Sequence, residues 1–394
     1  MEHTVPGSDH DTGARRAQAC VLALTAAGSA GRAAAPAKSR PSGRASRGTA
    51  AAAVTVSEAF TSLTGPFRGE LLAHCYRMLG SAEEAEDLVQ ETYLRAWRSF
   101  GGFEGRSSVR TWLYRIATNA CLTAIKRRGR RPLPSGLGAP ASGPEAPVVA
   151  SLEVPWLQPL PDALLDAVPA DPAAEVASRA GTRLALVAAL QYLSARRRAM
   201  LILHDVLEWP AAQVAELLDT TTTAVNSGLR RARARLAHAL PAEDELAEPA
   251  DPGQRALLDR FAAAFENADA SALADLLAED VALEMPPVLT WFTGRQAVVR
   301  FLAGRQPLFT VPGQVRMVPV TANGQPAFAA YLRDDDGGYR AHAVMLLAIT
   351  PAGIARIVIF LEPRLFALFG LPAEHGGDVA GAAPPGLAVP PWPR

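Results

Sequence analysis

Two adjoining stretches decide how this chain is read: SAEEAEDLVQETYLRAW at 81–97 and GRSSVRTWLYRIATNACLTAIKRRGRR at 105–131. The first is acidic, and Ser81-Ala-Glu-Glu84 has the form of a capping box, in which a hydroxyl and a carboxylate satisfy the free amides of a new helix. Leu88, Thr92 and the ring of Trp97 can face a core, while Asp87, Gln90 and Glu91, spaced i, i+3 and i+4, share the opposite side. The second stretch carries eight Arg or Lys and no Asp or Glu, with Ser107 or Ser108 placed to cap its helix. A helix that shows carboxylates, then one that shows guanidinium groups and aromatic rings, describes an adaptor between a protein and a nucleic acid.

The 394 residues allow two or three domains. Net charge is zero, but its distribution is uneven. Residues 54–131 hold twelve basic and eight acidic residues, 132–180 one basic and six acidic, and 220–240 four basic and none acidic. Local basic stripes in a neutral chain fit specific nucleic-acid contact better than general stickiness. Cys20, Cys75 and Cys121 lie far apart without metal-ligand spacing, which argues for a reducing compartment and against zinc or a disulfide framework. Cys75 and Cys121 sit in apolar-periodic helices and read as core thiols. No stretch approaches the roughly 20 apolar residues that span a bilayer. Arg15-Arg16 followed by AQACVLALTAAGSAG loosely imitates a signal peptide, but residues 1–56, rich in Ala, Gly, Ser, Arg and Pro, read as a disordered extension or as a start assigned too far upstream. A DNA-reading module behind it would make export senseless, so the expected location is the cytoplasm.

The first ordered block, 57–131, reads helical throughout and ends where Pro132 and a Gly/Pro/Ala run begin a linker to about 176. Within it Val154-Pro-Trp-Leu-Gln-Pro-Leu-Pro161 reads either as a docking motif or as a loose flap on a neighbouring domain. Asp171-Pro172 then caps a second helical block, 177–242, with further helix starts at Ser194 and Pro210. Val214, Leu217 and Leu218, then Val225, Leu229, Ala232 and Leu236, repeat at helical spacing around the turn Asp219-Thr220-Thr221, a helix-turn-helix pattern. After the acidic AEDELAEPA, a third domain spans 251–371. A helix from Arg255 to Asn267 and two shorter helical segments lead into strands at Val281–Met285, Gln314–Thr321, Ala327–Arg333, Tyr339–Ile349 and Gly353–Leu361, with hairpin turns at Asn323-Gly324 and Asp336-Gly337. Helices first and a curved antiparallel sheet after describe an α+β cone. Residues 372–394 read as a disordered tail.

The acidic helix, with EDLVQE at 86–91, resembles the clamp-binding helix of bacterial sigma factors. The resemblance implies that Asp87, Gln90 and Glu91 grip the β′ subunit of core RNA polymerase. Residues 107–128 resemble the helix with which these factors read and melt the −10 promoter element. The implied DNA contacts are Phe103, Arg106, Trp112, Tyr114, Arg115, Asn119, Lys126, Arg127 and Arg128, with the loop 103–106 helping to form a pocket for a flipped base. Melted DNA needs rings to stack on bases and cations for the backbone, each stack giving roughly 1–3 kcal/mol. By helical spacing Trp112 and Ile116 also share an inward face, so Trp112 reads equally as core. Relatives often carry an acidic residue two to four positions after the Asn. Cys121-Leu122-Thr123 stands there instead, so no base preference carries over.

WPAAQVAELLDTTTTAVNSGLRRARARL at 209–236 resembles the −35-binding helix-turn-helix of the same family. Its implied DNA residues are Thr222, Thr223, Asn226, Ser227, Arg230 and Arg231, and its implied polymerase contact is the β flap. Elements about 17 base pairs apart lie roughly 58 Å apart at 3.4 Å per step. A linker over 132–176 reaches about 150 Å when extended. Two blocks without an intervening third sigma domain look like the extracytoplasmic-function class.

LLDRFAAAFENADASALADLLAEDVALEMPP at 257–287, with WFTG at 291–294, is similar to SnoaL-like cones fused to a subset of these factors. That fold hosts enzymes, binders and scaffolds alike. Glu284 and His342 are the cone's candidate acid and base, a poor constellation, so neither catalysis nor a metal or other cofactor is expected. The expected architecture is therefore multidomain: two all-α domains, a sigma region 2 bundle and a region 4 helix-turn-helix, then a SnoaL-like α+β cone. The partners are core RNA polymerase and promoter DNA, with a small ligand or an intramolecular contact at the cone, and no membrane. The rival reading is a one-component factor whose cone senses a ligand and whose helix-turn-helix binds an operator without polymerase.

Overall fold

The computed structural model describes residues 57–105, 107–165, 181–237, 252–304 and 309–375. The N-terminal extension, Arg106, the Asp171-Pro172 cap, the acidic stretch after 240 and the tail beyond 375 lie outside the described residues.

The first module is a helical bundle. A helix over 57–64 (α1) leads through a tight turn into α2 (Arg68–Leu79), α3 (Ala82–Ser99) and α4 (Val109–Arg128). Leu72, Cys75, Tyr76, Val89, Leu113 and Cys121 are buried together, and alanines at 85, 96 and 117 let the helices approach. Ser81 caps α3 by accepting from the Glu84 amide at 3.2 Å, and Ser108 caps α4 through Thr111 at 3.0 Å. Only half of the expected capping box forms. The Glu84 carboxylate instead meets Arg131 at 2.6 Å and Arg128, because the basic end of α4 offers it charged donors.

The second module comprises α5 (Leu184–Leu190), α6 (Ala195–Leu201) running into a π turn (Ile202–Val206), α7 (Ala211–Leu217) and α8 (Thr222–Leu236). The expected stripe of Val225, Leu229, Ala232 and Leu236 is buried against α6 and α7. Arg198 on α6 is 1% exposed. It donates to the Met78 carbonyl of α2, to Gln191 Oε1 at 2.8 Å and to the Leu193 carbonyl at 3.3 Å, bolting this module to the first.

In the third module α9 (Pro252–Glu266), α10 (Ala270–Ala274) and α11 (Arg295–Ala303) cover one face of a seven-stranded sheet. Its strands are β1 (Leu277–Glu284), β2 (Phe292–Thr293), β3 (Val315–Ala322), β4 (Gln325–Arg333), β5 (Tyr339–Thr350), β6 (Gly353–Phe360) and β7 (Glu374–His375). The order is β2-β1-β6-β5-β4-β3, with β7 on β5. The sheet is mixed rather than antiparallel, because β1 pairs with β6 in parallel. Alternation within a strand does not report the direction of its neighbour. Strand β7 also carries the fold past 371, where the sequence reading ends the cone.

Both faces of the sheet are covered. Phe328, Ala330, Met345, Leu347 and Ile357 face the cone's own helices. Ala329, Tyr331, Val344, Leu346, Val358 and Phe360 belong to the same buried cluster as the two helical modules. The cone is therefore packed by the outer face of its sheet onto the helices.

The linker lies between them. Residues 138–151 run along the cone, with Ala141 N to Trp291 O at 2.8 Å, Leu289 N to Val149 O at 2.7 Å and Ser151 N to Pro287 O at 2.8 Å. The Trp156-Leu157 island docks inside its own chain: Leu157 and Leu160 are fully buried, and Gln158 N donates to the Gly80 carbonyl at 3.0 Å. Gly80 has φ 71°, and a Cβ there would lie 2.7 Å from Leu157, so the α2–α3 turn needs glycine for both reasons. At the centre is Asn323, fully buried in the β3–β4 turn with φ 59°. Its Nδ2 donates to Tyr76 Oη at 2.7 Å and to the Thr182 carbonyl at 2.6 Å, and its Oδ1 accepts from Leu160 N at 3.0 Å. Tyr76 Oη in turn donates to the Gln158 carbonyl at 2.8 Å. One side chain thus touches the first module, the linker and the lead into the second.

His74, buried in α2 with Nε2 2.9 Å from Thr118 Oγ1 of α4, shows how dry this core is. Burial, aided by Arg77, lowers its pKa from 6.5 to about 3. The folded form holds it neutral while the unfolded chain protonates it below 6.5, so its contribution is complete above pH 6.5 and is lost as the pH falls towards 3. Wild type should lose about 2 kcal/mol of α2 and α4 stability between pH 7 and pH 5 relative to His74→Gln, read by hydrogen exchange. Equal slopes for the two proteins would show that His74 is not buried in its neutral form.

Candidate nucleic-acid interface

Helix α3 presents the acidic face. Val89, Thr92, Tyr93 and Ala96 are buried, which turns Asp87 and Gln90 out to solvent. Glu91, with its side chain 40% exposed, pairs with Arg95 at 2.7 Å, an exposed i,i+4 pair that contributes little and is easily exchanged for another partner. Leu88 lies half-buried between these polar residues.

Helix α4 sets the opposite chemistry, and the structure turns it by one residue relative to the sequence reading. Leu113, Tyr114, Ala117, Thr118 and Cys121 form its buried stripe, while Trp112 and Ile116 sit half-buried at the margin. Trp112 stacks on Phe103 with ring centres 4.7 Å apart, a paired aromatic ledge beside the loop that precedes α4. Asn119, Lys126, Arg127 and Arg128 are exposed along the same helix, Arg128 in its pair with Glu84.

Tyr114 is a correction. It is fully buried, its ring 5.3 Å from Trp209 and 5.1 Å from His74, and its hydroxyl donates to Glu70 at 3.2 Å. Burial and the neighbouring Glu70 push its phenol pKa up. In this arrangement Tyr114 is a core residue and cannot stack on a base. Arg115 is half-exposed and donates to Glu216 of α7 at 2.8 Å. Arg110 lies over both Tyr114 and Trp209, and binds Glu70 at 2.7 Å. The second module therefore rests on the helix that carries the expected −10 contacts.

Helix α8 is held firmly at its start. Thr221 caps it by accepting from Ala224 N at 3.2 Å, and Arg196 holds the preceding turn through the carbonyls of Leu218 and Asp219. Thr222, Thr223, Asn226, Arg230 and Arg231 are exposed, and Ser227 half so. Arg230 and Arg231 have no ion-pair partner among the described residues. Arg233, on the flank, is taken by Asp205 of the π turn at 2.6 and 2.9 Å, a support that spacing does not reveal.

In the cone Glu284 is fully buried on the outer side of β1, where it pairs with Arg356 and accepts from Ser135 N of the linker at 2.8 Å. No hydrogen bond or ion pair joins it to His342 among the described residues, whose pKa burial lowers. The cone's interior is filled by rings: Phe261 with Phe265 at 4.8 Å and Phe328 at 5.8 Å, Phe265 with Phe309 at 4.8 Å, and Phe292 with Phe301 at 4.1 Å. No group of three or more His, Cys, Asp and Glu fit for a metal occurs among the described residues, and none of their helices is long and apolar enough to cross a membrane.

Comparison with known proteins follows this division. Sigma-70 region 2 matches residues 65–131, Sigma-70 region 4 matches 183–236, and the SnoaL-like domain matches 258–357. The chain is 49% identical over 314 residues to the ECF RNA polymerase sigma factor SigG of Mycobacterium tuberculosis, covering 79% of this chain and 84% of that protein. It is 30% identical over 296 residues to SigJ of the same organism, covering 72% and 85%. The crystal structure of that SigJ superposes with a TM-score of 0.50 at 25% identity, over 78% of this chain and 97% of SigJ.

The burial of α4 has a direct consequence. Tyr114→Ala should cost about 3–5 kcal/mol in chemical denaturation, as a deleted core ring does, whereas Asn119→Ala on the exposed side should cost under about 0.5 kcal/mol. Equal small losses would place Tyr114 outside the core.

Proposed function

The chain belongs to the extracytoplasmic-function RNA polymerase sigma factors and directs transcription initiation without being an enzyme, and on that premise we propose that its SnoaL-like cone holds the promoter-reading modules in a closed arrangement that must open for initiation. Asp87, Gln90 and Glu91 on α3 serve the β′ clamp. Phe103, Arg106, Trp112, Arg115, Asn119, Lys126, Arg127 and Arg128 serve the −10 element. Thr222, Thr223, Asn226, Ser227, Arg230 and Arg231 on α8 serve the −35 element, with region 4 against the β flap.

The observation that carries the cone's role is the Asn323 junction. Its turn belongs to the cone, yet its amide is bonded to Tyr76 of region 2, to Leu160 of the linker and to the Thr182 carbonyl ahead of region 4. With these bonds made, Trp209 of region 4 lies against Tyr114 of the −10 helix, and Glu216 covers Arg115. Promoter elements separated by roughly 58 Å cannot both be engaged while region 4 packs on region 2. Opening also has to peel the linker from the Pro287–Trp291 segment of the cone before it can span that distance. The rival reading, an operator-binding factor that works without polymerase, leaves region 2 and its solvated acidic face without a task.

Asn323→Asp keeps the size and the left-handed backbone preference but removes both donors, at a cost of about 2–4 kcal/mol to the junction. Run-off transcription with purified core enzyme should rise tenfold or more for Asn323→Asp and for a chain ending at 245, relative to the full chain. Equal or lower output from both, with core binding intact, would refute the restraint.

In that shortened chain, Arg230→Ala should abolish −35-dependent transcripts and reduce the slope of log affinity against log salt by about one. Binding equal to the parent at every salt concentration would remove Arg230 from the interface.

A further inference from the structure

Between the outer face of the cone's sheet and region 4 the closed chain leaves a cavity of about 830 Å³. Small-molecule sites typically measure roughly 300–1,000 Å³. Its origin lies in the facing residues. Helix α5 contributes Ala185, Ala188 and Ala189, and the sheet contributes Ala282, Ala348 and Ala355. Such side chains end at Cβ, so the two layers leave space between them. At the rim they are tied together by Leu184 N to Gln325 Oε1 at 3.0 Å and by Ser135 N to Glu284 Oε2 at 2.8 Å. The space is open to solvent on one side, where Ala234, Arg235 and Asp280 are exposed.

The walls have a definite chemistry. Leu346 and Val358 extend the apolar floor, while Arg183, at the start of α5, and Arg235, near the end of α8, line the same space. Neither Arg183 nor Arg235 has an ion-pair partner among the described residues. The third arginine of the lining, Arg356, is occupied by Glu284. Among the described residues Asp280 is the one carboxylate in the lining, where Arg183 and Arg235 bring two cations without an ion-pair partner. Guanidinium groups beside an apolar floor suit a carboxylate or sulfonate carried on a hydrophobic body.

We propose that this interdomain cavity binds an amphipathic organic anion, with its apolar body on the alanine and leucine walls and its acid group at Arg183 and Arg235. The site is separate from the cone's interior, which the phenylalanine rings fill. Its walls come from the cone, the linker and region 4 together, so a ligand there binds only the closed chain and stabilises it by mass action. That consequence rests on the closed arrangement proposed above.

The test uses the full chain with anilinonaphthalene sulfonate as the probe, and phenylnaphthylamine, the same rings without the acid group, as its neutral counterpart. Wild type should bind the sulfonate at one saturable site and the neutral probe more weakly. Arg183→Ala combined with Arg235→Ala should weaken sulfonate binding tenfold or more and leave the neutral probe unchanged, and Ala348→Trp should remove the site by filling it. Small-angle scattering on the same samples reports whether the chain is compact. A compact chain without a saturable sulfonate site, or with one that both variants leave unchanged, overturns the proposal. An extended chain without the site overturns the closed arrangement instead.

Discussion

The side chain of Asn323 has to meet two demands at once, and the arrangement of the whole molecule depends on both. Its backbone sits at φ 59°, which asparagine tolerates better than most residues and which the tight β3–β4 turn requires. Its amide, with no access to water, then spends both N–H groups and its oxygen on three different segments of the chain. A buried amide left unpaired costs about 1–3 kcal/mol per group, so this turn tolerates the three segments only in one relative placement. Alanine there would supply neither the backbone preference nor the bonds.

From that placement the rest follows. A sheet whose outer face carries Tyr331, Val344, Leu346, Val358 and Phe360 needs a cover, which the two sigma modules share with the short helix Leu365–Leu368, whose Phe366 meets the Tyr331 ring at 4.9 Å. Arg198 then ties region 4 to region 2 through a carbonyl at the end of α2, and Trp209 comes to rest on Tyr114. The residues of α8 proposed for the −35 element are exposed, while Arg115, proposed for the −10 element, is engaged by Glu216. The two proposed sets of promoter contacts are therefore unequally available in the free chain. The acidic face of α3 is solvated, so the proposed polymerase contact does not depend on the proposed opening.

Much of this was legible in the chain. The cap at Ser81, a cap at Ser107 or Ser108, the buried stripe of α8 and the outward residues beside it followed from local chemistry, because hydroxyl caps and helical periodicity act within a few residues. The inward face of α4 did not follow, since Val109, Trp112, Leu113 and Ile116 share one arc, while the face actually buried carries Tyr114 and Thr118 beside Ala117 and Cys121, so the apolar periodicity pointed one residue aside. Asn323-Gly324 announced a hairpin but not its burial, because a turn's sequence describes its own backbone and not what packs over it. The parallel pairing of β1 with β6 joins residues more than 70 positions apart, beyond the reach of any local pattern. The isolated Trp156-Leu157 among prolines was the one sequence signal that the linker docks, and only packing showed where.

The account stands on the claim that the free chain is closed, with region 4 held on region 2. Nitroxide labels on Cys substituted for the exposed Arg98 of α3 and Thr223 of α8, with Cys20 replaced by Ser and the buried Cys75 and Cys121 retained, allow the separation to be measured by pulsed electron paramagnetic resonance. A closed chain gives one narrow distance that broadens and lengthens in Asn323→Asp. A broad distribution already reaching towards the roughly 58 Å spacing of promoter elements in the unmodified chain, unchanged by Asn323→Asp, would contradict it.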